Sequence, residues 1–342
     1  MSPGTNTPTS TVKYWQAVNS ALHEELDRDP AVHVFGEDVG VPGGPFAATR
    51  GLRDRFGEWR VRDTPISEAA FTGMAVGAAM AGLRPVAEIM YFDFITLAMD
   101  QLVNQAAKMS YMSDGAFAVP LTIRTLCGGH RGSGPQHSQS LEGWLAAVPG
   151  LKVVWGGTPA DAKGLLKAAI RDDDPVIVIE SLSLWTRRGQ VPDDPDHVVP
   201  IGAGLIRRPG TDVTLVCWGD TVPPAMEAAE ALAGRGVDAE VLDLRTLSPL
   251  DEPLILRSLH RTGRLVVVQD AQGPCSVGSE VIRLAATDGF ASLRAPAAQV
   301  RPPFAPVPFA PDLEGAYYPS AEDVVAATLS TIEGTRGEGS GA

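Results

Sequence analysis

The chain is short of cysteine, of basic residues and of long apolar runs. Its three cysteines, Cys127, Cys217 and Cys275, are scattered through 342 residues. Isolated thiols make neither a disulfide framework nor a Cys/His zinc spacing, and they suit a cytoplasmic protein. Lys and Arg number 28 against 41 Asp and Glu, a net charge of −13. That balance excludes a general nucleic-acid binder, whose surface must replace phosphate counterions. No run of about 18 apolar residues escapes interruption by charge, so a membrane span is not expected. The first eleven residues are rich in Ser, Thr and Pro and hold no apolar signal core. Phosphate-binding GxxxxGK[ST] and dinucleotide-binding GxGxxG loops are missing, as are a GxSxG elbow and HExxH. Nucleotide-triphosphate and hydride-transfer chemistry therefore have little support.

What is present suits a packed protein. Apolar residues make up 44% and charged residues 20%, which is ample for a core. At roughly 100–200 residues per domain, the length suggests two domains. Trp15, Val18, Leu22 and Leu26 form one stripe of a helix over 13–28. Val32 to Phe35 reads as a buried strand. Ser67 is placed to cap a helix rich in small residues, with Gly73, Gly77 and Gly82 allowing close packing. Strands are expected over 85–89, 119–125, 151–155 and 176–180, and helices over 96–112 and 159–171. The alternation implies a mostly parallel, doubly wound α/β sheet. It restarts after a polar, Pro- and Asp-rich stretch. Strands are expected over 213–217, 237–242 and 265–268, with helices over 223–234, 251–261, 278–287 and 320–333. The expected domains are thus 12–185 and 205–333, joined by a linker over 186–204. Residues 294–311 read as an irregular strap, and 334–342 as a flexible tail.

Two stretches carry more information. They are Thr64-Pro65-Ile66-Ser67-Glu68 and Gly134-Pro135-Gln136-His137-Ser138-Gln139-Ser140. Beside them stand Gly36-Glu37-Asp38-Val39, the run from Ala75 to Pro85, Pro149 to Val154 and Asp161 to Leu166. Together these runs resemble the β subunit of the thiamine-diphosphate-dependent decarboxylase of 2-oxoacid dehydrogenase complexes. That group includes the pyruvate, branched-chain and acetoin enzymes and belongs to the transketolase superfamily. The resemblance spans about residues 12 to 333.

The resemblance implies an N-terminal domain binding the aminopyrimidine of thiamine diphosphate and a C-terminal transketolase-like domain. It implies that an α subunit supplies the diphosphate and Mg2+ site, in a heterotetramer of two α and two β chains. The GDG motif of that site is absent here, and Trp218-Gly219-Asp220-Thr221 is the nearest string. A lipoyl-bearing acyltransferase or carrier protein would accept the acyl group. On spacing alone Glu68 is a carboxylate at a helix start. By resemblance it bonds N1′ of the aminopyrimidine, and beside Ile66 and Phe94 it would be desolvated. His137 matches the histidine that assists acyl transfer, a task suited to imidazole near neutral pH. Glu37 and Phe94 match cofactor-proximal positions. His130 and Arg131 lie in a glycine-rich loop that departs from the family and could meet a substrate carboxylate or phosphate.

By the same resemblance, Leu121, Ala169, Ile170, Asp172 and Asp174 could hold potassium. Residues 172–174 also read as a solvated turn before Pro175. Three functions follow for testing. The first is decarboxylation of a 2-oxo acid with acylation of a lipoyl group. The second is transketolase-like transfer of a two-carbon ketol unit to a lipoyl or thiol group. The third is a non-catalytic scaffold.

Overall fold

The computed structural model describes residues 8–41 and 43–333. The tail expected at 334–342 and the first seven residues lie outside them. The chain forms two compact units, each with its own core. The first comprises Met1–Cys127 and Val148–Ile201, and the second Gly128–Ala147 and Gly202–Ala342. The sequence suggested two contiguous domains, yet the loop after Cys127 belongs to the second unit. The cause is local. The Glu314 carboxylate accepts the backbone N–H groups of Arg131 and Gly132, and the Tyr318 ring stacks on His130.

In the first unit, helix α1 (Tyr14–Arg28) buries Val18, Leu22 and Leu26 along one face. It stops at Asp29 because the residue before Pro30 is pushed out of the helical region. Strands β2 (Val32–Gly36), β3 (Val61–Asp63), β4 (Arg84–Tyr91), β5 (Thr122–Cys127), β6 (Lys152–Trp155) and β7 (Val176–Ser181) are parallel. Their order is β6-β7-β5-β4-β2-β3. Helix α2 is a single turn (Leu52–Phe56), and α3 (Glu68–Met80) follows β3.

Two elements differ from expectation. The expected linker contains β8 (Arg188–Pro192), which pairs antiparallel with β1 (Thr9–Lys13). Both strands are polar, so neither shows the apolar alternation that marks a strand. The helix expected over 96–112 is a 3-10 turn (Phe92–Ala98), a π turn (Gln101–Ala106) and then α4 (Ala107–Met112). Phe92, Ile95 and Ala98 are all buried, and residues spaced by three stay in one line in a 3-10 helix, where i and i+3 eclipse.

Charge is also buried here. Helix α6 (Pro159–Arg171) sets Lys163, Lys167 and Arg171 one turn apart against Glu24 and Glu25 of α1. Arg124 in β5 is fully buried between Glu88 of β4 and Glu180 of β7.

In the second unit, helix α5 (Glu142–Ala146) precedes a sheet of β9 (Leu205–Arg208), β10 (Val213–Cys217), β11 (Ala239–Asp243), β13 (Leu265–Val268) and β14 (Ala298–Val300). The order is β14-β13-β10-β11-β9, with β9 the antiparallel edge. A short strand, β12 (Thr246–Ser248), follows β11. Helices α7 (Val222–Ala233), α8 (Glu252–Thr262), α9 (Val277–Ala286), α10 (Pro311–Gly315) and α11 (Ala321–Glu333) complete it. The strap expected at 294–311 is irregular except for β14. Three strand residues flanked by Pro are too few to show a period. Among the described residues no helix is long and apolar enough to cross a membrane.

Candidate active site

Glu68 is the first residue of α3 and is 5% exposed. Ser67 stands at the N-cap, but its hydroxyl donates to the carbonyl of Pro65 (3.2 Å) and does not cap the helix. Glu37 follows directly on β2, and Glu88 lies in β4 opposite Gly36. Gly36 is needed for this approach, since a Cβ there would stand 2.8 Å from the Glu88 carbonyl oxygen. Because β2 lies between β3 and β4, Glu37, Glu68 and Glu88 converge. Open α/β sheets bind ligands beyond the carboxyl ends of their strands.

Burial, then the fields of Glu68, Asp38 and Glu88, hold the Glu37 carboxyl above the usual carboxylate range. One Glu37 oxygen is buried without a partner. Glu88 has Arg124 as its counter-ion. Phe94 is half-buried, edge-on to Tyr91 at 6.0 Å. Ile66 is 82% exposed, so it does not wall Glu68 off from water in this chain. The desolvation of Glu68 comes from the fold around the start of α3.

The oxygens proposed for potassium already have partners. Arg84 donates to the carbonyls of Ile170 (3.2 Å) and Asp172 (2.9 Å) and pairs with Asp173. Lys152 Nζ lies 2.8 Å from both Asp172 carboxylate oxygens and 3.0 Å from Asp174. The Ala169 carbonyl accepts from Asp172, and that of Leu121 from Val176. Two cations of this chain, Arg84 and Lys152, thus lie beside these oxygens, with Asp172, Asp173 and Asp174 as their counter-ions.

In the second unit, His137 is half-buried in a turn, its N–H donating to the carbonyl of Gly134 (3.3 Å). His130 sits at φ +64°, a left-handed conformation uncommon outside glycine. Its Nε2 lies 2.8 Å from Asp270, and its ring stacks on Tyr318 at 3.8 Å. Burial opposes charge on this ring, but Asp270, with Asp220 and Glu314, raises its pKa to about 9. Glu142 opens α5 and is fully buried. Burial raises its pKa to about 7. Its own N–H opposes the rise, Asp270 and Asp220 add to it, and the Trp218 indole also opposes it.

Two family models match the chain. The "Transketolase, pyrimidine binding domain" covers residues 10–186, and the "Transketolase, C-terminal domain" covers 202–324. The acetoin:2,6-dichlorophenolindophenol oxidoreductase subunit beta of Bacillus subtilis is 44% identical over 92% of this chain and 96% of its own. The chain belongs to the β subunits of the thiamine-diphosphate-dependent 2-oxoacid dehydrogenase family. Its similarity to the 2-oxoisovalerate dehydrogenase subunit beta of the same species is 42%, over 95% of this chain and 99% of that one. The pyruvate dehydrogenase E1 component subunit beta of that species is also 42% identical, over 93% and 98%. A solved "split gene transketolase, inactive beta4 tetramer" superposes with a TM-score of 0.75 at 22% identity, over 94% and 98% of the two chains. That likeness establishes the two-domain transketolase-like fold.

Sequence reasoning missed Glu88, Glu142, Asp220 and Asp270 as parts of charged clusters. Asp220 stood out only as a failed GDG string. Glu142, five residues after His137, was visible as a lone charge among apolar neighbours.

Proposed function

We propose that this β subunit supplies the aminopyrimidine half of a thiamine diphosphate site. That site decarboxylates a 2-oxo acid and passes the acyl group to a lipoyl group. The observation that carries this reading is Glu68, a buried carboxylate at the start of α3 beside an unpartnered oxygen of Glu37. A protonated ring nitrogen and an amino group suit such acceptors. The residues present therefore fit the cofactor's pyrimidine. Thiamine diphosphate, when bound, supplies the carbon nucleophile that adds to the oxo carbon.

In this reading Glu68 holds and exchanges a proton at the pyrimidine N1′. Glu37, with its raised proton affinity, keeps a second negative charge from forming beside it. Phe94 and Ile66 offer apolar surface to the ring. His137 gives and takes protons at the reacting oxygen. An α subunit would hold the diphosphate and Mg2+, in an α2β2 assembly working in the cytoplasm. The acceptor would be a lipoyl-bearing acyltransferase or carrier protein. The related subunits favour this over ketol transfer or a scaffold role.

The test is reconstitution with an α subunit carrying GDG, followed by assays with pyruvate, branched 2-oxo acids and ketose phosphates. Turnover of no 2-oxo acid overturns the reading. Glu68→Gln is expected to lower kcat by about 10²–10⁴-fold, the range for a positioned acid–base group. Unchanged activity in that variant removes Glu68 from the mechanism.

A further inference from the structure

The second unit holds a charged cluster that the reaction above does not use. Asp220 lies in the turn after β10, Asp270 in the loop after β13, and His130 and Glu142 on the segment Gly128–Ala147. One ligand atom from each of His130, Asp220 and Asp270 lies within 4.8 Å of the others. Ligand atoms on opposite sides of an ion about 2.1 Å away are about 4.2 Å apart, so the required closure is small.

The two aspartates are buried, while His130 reaches the surface and marks a way in. Glu142 supplies the independent observation. It is fully buried, and neither carboxylate oxygen makes a well-formed hydrogen bond. Asp220 and Asp270 are the acidic groups whose fields it feels. Glu142, Asp220 and Asp270 are thus three buried carboxyl groups gathered beside one imidazole. Glu314 stands apart from the set, because it accepts the N–H groups of Arg131 and Gly132.

We propose that His130, Asp220 and Asp270, with Glu142, form a binding site for a divalent cation. Mixed imidazole and carboxylate ligands suit zinc or manganese. The Tyr318 stack fixes the His130 ring from behind, as outer partners do at metal sites. The ion replaces the His130–Asp270 contact and ties the segment bearing His137 to the ends of β10 and β13. Its role is that of a brace.

The test uses the full chain, stripped with a chelator and without an α subunit. Mn2+ is titrated with detection by electron paramagnetic resonance, and Zn2+ by calorimetry. One equivalent of each per chain is expected, with Zn2+ displacing Mn2+ and the thermal midpoint rising. Asp220→Asn and His130→Gln are expected to weaken binding by about tenfold or more. No saturable binding, or equal binding by folded variants, overturns the proposal. Should the variants not fold, the native chain decides by NMR. Bound Mn2+ must broaden the His130 ring resonances, and sharp His130 signals with Mn2+ bound refute the site.

Discussion

Replacing Arg124 by Met tests whether the first unit's sheet is built around a buried charge. Arg124 donates to both oxygens of Glu180 (2.8 and 2.6 Å) and to Glu88 (2.5 Å), and all three side chains are essentially inaccessible. Burial disfavours the guanidinium, but Glu180 and Glu88 outweigh it and raise its pKa. Methionine fills similar space and leaves two carboxylates facing each other across the strands. Breaking a buried pair from one side costs about 3–5 kcal/mol. For a unit of this size, each kcal/mol lowers Tm by about 2–4 °C, so a fall of about 6–20 °C is expected.

The loss must also depend on pH. Burial already raises the Glu180 pKa, with Arg124 pulling the other way. Without Arg124 both carboxyls bind protons more tightly folded than unfolded. A raised folded pKa contributes stability at low pH that is lost as pH rises through it. The deficit of Arg124→Met therefore shrinks between pH 7 and 5. Calorimetry of the full chain at several pH values measures it. A loss under about 1 kcal/mol, or one that does not change with pH, refutes the argument, because solvated carboxylates would behave that way. The triple variant Arg124→Met, Glu88→Leu, Glu180→Leu should recover much of the loss.

Two further outcomes follow from local geometry. Gly150 has φ +100°, and a Cβ there would stand 2.1 Å from the carbonyl oxygen of Ala107. Gly150→Ala is expected to cost about 3 kcal/mol or more in chemical denaturation, and a cost below about 1 kcal/mol contradicts it. In chelator-treated protein, the His130 ring should titrate near pH 9, against its usual value of 6.5. Its stabilising contribution is full below about pH 6.5 and disappears as pH rises through about 9. Ring-proton NMR reads this directly. Asp270→Asn should return the titration towards its usual range, and a wild-type ring that titrates near 6.5 overturns the pairing.

Much was legible from the residues because it depends on near neighbours. Apolar runs such as Val176–Ile179 and the stripe of α1 announce their elements by period. The run from Thr64 to Glu68 announced a carboxylate at a helix start. Where the period was weak, the reading failed. The polar ribbon of β1 and β8, the 3-10 and π turns after β4, and the three residues of β14 carry no such signal. Ser67 occupied the expected cap position, yet its hydroxyl turned to Pro65.

Fold class, family and the absence of the α subunit's GDG motif are legible in the residues alone, since each rests on contiguous runs. Which charges meet depends on how distant segments fold together. Glu37, Glu68 and Glu88 converge because β2 lies between β3 and β4. Arg84 and Lys152 gather on the turn at Asp172, Asp173 and Asp174. His130, Asp220, Asp270 and Glu142 gather from three separate stretches of chain. Such contacts depend on strand order and loop closure, which no local pattern encodes.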